Sequence, residues 1–288
     1  MKYTKPPLTL QEQLEHIQNF YHIKIKDKQK ALHYLKHCNY YKLRGYWLYY
    51  EKRGIQASFE DVINLYEFDK ALRDLLLSYL ERIESSIKSV FANYLTTTYN
   101  NPHIHLDASI FGNQKYHKEG IERLQESFIK GDEIFINHFK EKYDEELPPL
   151  WVCVEFMTFG ELSKWIRNLN IHDTKQIAKT YNIKSPRVFS SILYHLTEVR
   201  NRCAHHSRIW NHSFIHRFEI PKKYKKFLSF QNFKLSHTFV VMNDLLTVME
   251  PKSQFTKSIL HLIEKHSIDT KEMGLDETII KLLKDNNV

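Results

Sequence analysis

With 288 residues the chain can bury a full core, as one large domain or two small ones, and 42% hydrophobic with 26% charged residues is ordinary globular composition. Lys and Arg outnumber Asp and Glu by 42 to 34, and a pI near 9.1 favours a polyanionic partner over a cationic one. Cys38, Cys153 and Cys203 are widely spaced with no CxxC pair, the N-terminus MKYTKPPLTLQEQ lacks an apolar h-region, and no run approaches the roughly 18 apolar residues of a membrane span. These features argue against a disulfide scaffold and a membrane protein, and predict a soluble, cytoplasmic protein with free thiols.

Seven glycines and eight prolines leave few turn signals, and alternating apolar and polar runs are scarce, so an all-α fold is expected. A first helix is predicted over Leu8 to Phe20, with Thr9 as N-cap and Glu12 completing a capping box, and a second over Lys28 to Tyr50. The clearest helix runs from about Phe59 to Leu95, where Leu72, Leu76, Leu80, Ile83 and Ile87 recur at spacings of three and four on one stripe. Asn100-Asn-Pro102 stops it, and Gly112 and Gly131 punctuate a polar, less regular insert near 100–147. Pro148-Pro149 opens a helix over Leu150 to Leu169 that Gly160 is expected to bend, and Ser185-Pro186 pairs an N-cap with proline at the first helical position. After Pro221 the chain turns basic, then offers further helical segments through Leu283. There is no internal repeat and no flexible linker.

The segment EVRNRCAHHSRIW, residues 198–210, sits on the last predicted helix with Phe189, Ile192, Leu193, Leu196, Val199 and Cys203 on one apolar stripe. Arg200 lands within about 20° of Phe189 on that stripe, where a guanidinium must be paired or face a ligand. Continued as helix, Asn201, His205 and Arg208 share a neighbouring face, and Arg200 and His205 lie about 140° apart. One site can hold both if the arginine reaches round, the helix ends locally or a second protomer supplies one of them, which makes a homodimer attractive. Histidine exchanges a proton near neutral pH and arginine offers a fixed fork to phosphate oxygens, so this set suits metal-free attack of a ribose 2′-hydroxyl on its neighbouring phosphate.

Other residues carry weaker signals. Asp69 falls inside the stripe of the long helix, Glu84 at its margin, and Glu155 beside Trp151, Leu162 and Ile166; Glu155 or Asp69 is the expected partner of Arg200. His206 assists His205, positions substrate or faces solvent. Lys42 and Arg44 lie among Tyr40, Tyr41, Tyr46, Trp47, Tyr49 and Tyr50, a pattern that fits either packed core or a single-stranded RNA platform. Lys222, Lys223, Lys225 and Lys226 are expected to touch phosphate. His212 and His216 are four apart, but no nearby Cys or carboxylate completes zinc spacing, so no metal and no other cofactor is expected.

Arg200-Asn-Arg-Cys-Ala-His205 matches the R-x4-6-H signature of HEPN-domain ribonucleases. Together with LPPLWVCVEFMTFGELSKWIRNL (147–169), LTEVRNRCAHHSRIWN (196–211), YKLRGYWLYY (41–50), LYEFDKALRDLLLSYLERIESSIKS (65–89) and KPPLTLQEQL (5–14), it resembles the Abi family of abortive-infection proteins, the AbiD and AbiF-like group, over most of the chain through about residue 216. The resemblance implies an HEPN-like helical core over 57–216 with N-terminal (1–56) and C-terminal (217–288) helical extensions. It also implies an anti-phage or toxin endoribonuclease in which Arg200 and His205 form the catalytic pair, Asn201 is their polar neighbour, and a small noncoding RNA restrains some members. Two other readings use the same residues: a noncatalytic RNA-binding or sensor module, and a helical interaction protein whose motif is a polar network.

Overall fold

The computed structural model describes residues 2, 4 and 6–285, and among them the chain forms thirteen α-helices and no β-strand, an all-α fold. No helix among the described residues is long and apolar enough to cross a membrane. The contacts divide the chain into two compact units, Met1–Leu72 with Leu260–Ile268, and Arg73–Ile259 with Asp269–Val288.

In the first unit, α1 (Leu10–Asn19) starts in the expected capping box: Thr9 accepts from the Glu12 amide, and Glu12 accepts from the Thr9 amide at 2.7 Å. The single helix predicted over Lys28–Tyr50 is two, α2 (Lys28–His37) and α3 (Tyr40–Glu51). Cys38 is extended, and Asn39 restarts the chain as N-cap by accepting from the Tyr41 amide at 2.8 Å. The aromatic density of α3 is partly core, with Leu43, Tyr46 and Trp47 buried, while Tyr41 and Lys42 face solvent. The phenol of Tyr46 donates to buried Asp69 at 2.7 Å, which gives that carboxylate a structural use.

The long helix is α4 (Phe59–Thr98), 40 residues or about 60 Å, and it runs through both units. In the second unit it contributes Leu76, Leu80, Ile83, Ile87 and Phe91 to the core. The region expected to be irregular holds α5 (Gln114–Lys130) and α6 (Ile134–Lys142). The helix expected over Leu150–Leu169 is α7 (Leu150–Phe156) and α8 (Phe159–Asn168), parted by extended Met157 and restarted by a Thr158/Glu161 capping box. Gly160 does not bend it: a Cβ there would meet Thr197 Cγ2 at 3.3 Å, so this glycine lets α8 lie close against α10. The remaining helices are α9 (Ile171–Thr180), α10 (Pro186–Ala204), α11 (Leu235–Met249), α12 (Phe255–His266) and α13 (Glu277–Asp285).

Candidate functional site

α10 begins where the sequence indicates, with Ser185 accepting from the Val188 amide and proline at the first position. Its apolar stripe is buried throughout, from Phe189 to Cys203. Two features of its far end differ from expectation. The helix stops at Ala204, so Glu198–Trp210 is not a continuous helix and the shared face of Asn201, His205 and Arg208 does not exist. His205 instead occupies the C-cap, its amide bonded to Asn201 O at 2.9 Å.

The stop is a Schellman turn. His206 takes the left-handed conformation (φ 53°) and donates its amide to Cys203 O at 3.1 Å, while Ser207 N reaches Arg202 O at 2.9 Å. Histidine tolerates this region better than most residues, at a cost of about 1 kcal/mol against glycine. Beyond the turn the chain runs back along α10 and is pinned at successive levels. Arg202 donates to Arg208 O at 2.9 Å. Glu198 accepts from the His216 amide at 2.8 Å, from His212 Nε2 at 3.2 Å and from the Ile215 amide at 3.4 Å. Ser191 accepts from Glu219 N at 3.0 Å, and Arg187 forms an ion pair with Glu219. Burial pulls the Glu198 carboxyl upward, but the His216 amide, His212 and the Ile215 amide outweigh it and leave its pKa below the ordinary value. His212 is lowered by burial and by nearby Arg202, against the opposing pull of Glu198.

This return strap pins the motif's end while leaving three of its polar residues open. Asn201, His205 and His206 are exposed. Arg200 is half-buried, donates to Asn201 Oδ1 at 3.3 Å and lies 3.9 Å from Glu84 Oε2. Glu84 is shared, since Lys88 approaches its other oxygen at 3.5 Å, and Lys88 also donates to the backbone carbonyl of Glu155 at 3.4 Å. The carboxylate beside Arg200 is therefore that of Glu84, rather than Glu155, whose side chain is exposed, or Asp69, which serves Tyr46. At 3.9 Å the Glu84 contact orients the guanidinium by charge without hydrogen-bonding it, so donors remain for a phosphate.

The other anticipated residues are dispersed. Lys222, Lys225 and Lys226 are exposed, and Lys223 pairs with Asp244 at 2.8 Å. Lys222, Lys223 and Lys225 join Lys184 around a cleft of about 1010 Å³ beside the start of α10, floored by Val188, Ile192 and Leu228. That places them at the opposite end of a 19-residue helix from His205, about 28 Å along the axis. Lys42 and Arg44 belong to the first unit, where Arg44 donates to Tyr21 OH at 3.0 Å. His212 serves Glu198, and His216 packs on the Tyr194 ring.

Sequence reasoning passed over Glu198, Lys88 and His195. His195 is fully buried, Nδ1 donating to His216 O at 2.7 Å and Nε2 accepting from Thr238 at 2.8 Å, within a cage of Phe214, Phe218 and Phe233. Burial pushes its pKa down to about 4 although the His216 carbonyl and Glu198 pull the other way. It falls about 40° beyond Val199, just outside the apolar stripe, so the sequence offered only a marginal signal. Glu198 carried no such signal, since it lies on the side of α10 opposite Phe189.

Residues 33–211 match the family described as Abi-like protein, more than half of the chain and ending just past the motif. No curated protein and no solved structure matches the chain.

Proposed function

The chain belongs to the Abi-like protein family, and we propose that it acts in abortive infection, in the cytoplasm, as a metal-independent endoribonuclease of the HEPN type. The observation that carries this reading is the end of α10: an exposed imidazole at the C-cap, an arginine five residues earlier whose guanidinium keeps free donors, and an asparagine beside it.

In this mechanism His205 takes the proton of the attacking 2′-hydroxyl or gives one to the departing 5′-oxygen, and Arg200 binds the scissile phosphate as charge develops on it. The products are a 2′,3′-cyclic phosphate and a 5′-hydroxyl. Glu84 positions Arg200, and Asn201 supports it. His206 and Arg208 flank the site. A second protomer brings its own His205 to the first protomer's Arg200, so the active species is a homodimer. The exposed lysines around 222–226 hold RNA away from the reacting bond, either substrate or a small restraining RNA, and Lys42 and Arg44 are a separate RNA contact within the first unit.

The test is cleavage of labelled structured RNA in excess EDTA, with product ends identified. Cleavage to cyclic phosphate by wild type and its loss in His205→Ala support the reading. Bound but intact RNA would replace it with a noncatalytic sensor. For the composite site, mixing inactive Arg200→Ala with inactive His205→Ala should restore activity, because one interface of the mixed dimer then carries both residues.

A further inference from the structure

The second unit holds a cleft of about 440 Å³ between α5 and α8, separate from the end of α10 and unused by the mechanism above. Its volume lies within the range of small-molecule sites, about 300–1,000 Å³. Three observations identify its chemistry. The floor is Trp165, 95% buried, whose indole Nε1 finds no partner among the described residues yet is not sealed from solvent. Gly120 sits mid-helix in α5 against that indole: a Cβ there would come within 2.9 Å of Cζ2 and 3.2 Å of Nε1. A helix-interior glycine costs about 1 kcal/mol relative to alanine, and here it lets the α5 backbone lie close against the indole.

The rim supplies charge and a ring. Arg123, Lys164 and Arg167 line the cleft, all three are exposed, and among the described residues none forms an ion pair. Of the two rim acids, Glu161 is consumed by the Thr158 capping box, whereas Glu119 is free to accept. Tyr116 offers a ring that is 58% exposed. Cations that form no ion pair (Arg167 also lying over the Tyr194 ring at 5.3 Å), one open acid, an accessible ring and an indole donor are the four groups that phosphate, ribose hydroxyls, and the face and edge of a base require. A plain phosphate would use only the first.

We propose that the α5–α8 cleft binds one nucleoside 5′-phosphate unit, with Tyr116 stacking on the base, Trp165 Nε1 donating to its edge, Glu119 accepting from the ribose and the three cations holding the phosphate. The unit is either a free nucleotide or one residue of a bound strand. This site stands whether or not the end of α10 cleaves RNA, because its test reads binding alone.

The experiment is photocrosslinking of the full chain with 5-iodo-UMP and 8-azido-AMP, and with hexanucleotides carrying one such base, followed by peptide mapping. Labelling of the peptide containing Tyr116, reduced at least tenfold in the double variant Arg123→Glu, Lys164→Glu, is the expected result. Labelling by a mononucleotide assigns a free ligand, and labelling only by a hexanucleotide assigns a nucleotide of a strand. No labelling of that peptide by any probe, or labelling that survives the double variant with an unchanged melting temperature, overturns the proposal.

Discussion

Two histidines ten residues apart on and beyond one helix have opposite surroundings. His195 lies in an aromatic cage with both ring nitrogens satisfied, and its pKa is driven down to about 4. His205 lies at the C-cap in solvent. The first is chemically silent at neutral pH and holds the return strap to the helix; the second has no structural bond for its ring to lose among the described contacts. The lesson is that, in a chain with 17 histidines, the surroundings of each ring separate scaffold from chemistry, and the count does not.

That contrast can be broken in order of effect. The largest change is expected in activity. His205→Ala should lower RNA cleavage by about 10²- to 10⁴-fold while shifting unfolding free energy by less than about 0.5 kcal/mol. Single-turnover cleavage beside urea denaturation checks both, and a large stability loss would move His205 into the scaffold class. His195→Ala should do the reverse, costing about 3 kcal/mol because it opens a cavity and strands Thr238 and the His216 carbonyl. A urea midpoint unchanged from wild type would refute it.

Next in size is the response to acid. His195 and His105 are both held neutral by burial, with pKa values pushed down to about 4 and about 3 against 6.5 in the unfolded chain. Unfolding therefore takes up protons below pH 6.5, and the stabilisation, full above that pH, falls by about 1.4 kcal/mol per pH unit for each imidazole until its folded value is reached. Chemical denaturation from pH 7.5 to 4.5 should show this slope, and His195→Gln should reduce it by about 1.4 kcal/mol per pH unit. The smallest effect belongs to the turn: His206→Gly should stabilise the fold by about 1 kcal/mol, because glycine adopts φ near 53° without a Cβ penalty. A lowered melting temperature would mean that the His206 ring makes compensating contacts.

The sequence was most informative at helix starts. Thr9 with Glu12, and Ser185 with Pro186, carry their bonding partners within three residues, so the caps could be read locally. The end of α4 was legible in Asn100-Asn-Pro102, but other helix ends were hidden because the chain closes them without the usual glycine: Asn182, His206 and Ser267 all take positive φ after a helix. Asn39 and Thr158 were passed over as restarts for a related reason, since apolar periodicity continues across them. In the candidate site, Arg200 and its need for a carboxylate were legible from the apolar stripe. Glu84 as the neighbour was not, because that choice depends on how two helices more than a hundred residues apart in the chain meet. The strap anchored by Glu198 was invisible for the same reason.

The Schellman turn also bears on spacing. If Arg200 and His205 both lay within helix, each residue inserted between them would swing the histidine about 100° around the axis and remove it from the site. Because the turn begins at His205, a residue added after Ala204 lengthens a loop already tethered at Arg202, Glu198 and Ser191, and the ring is displaced rather than reversed. The separation of arginine and histidine is thus an adjustable length rather than a fixed phase.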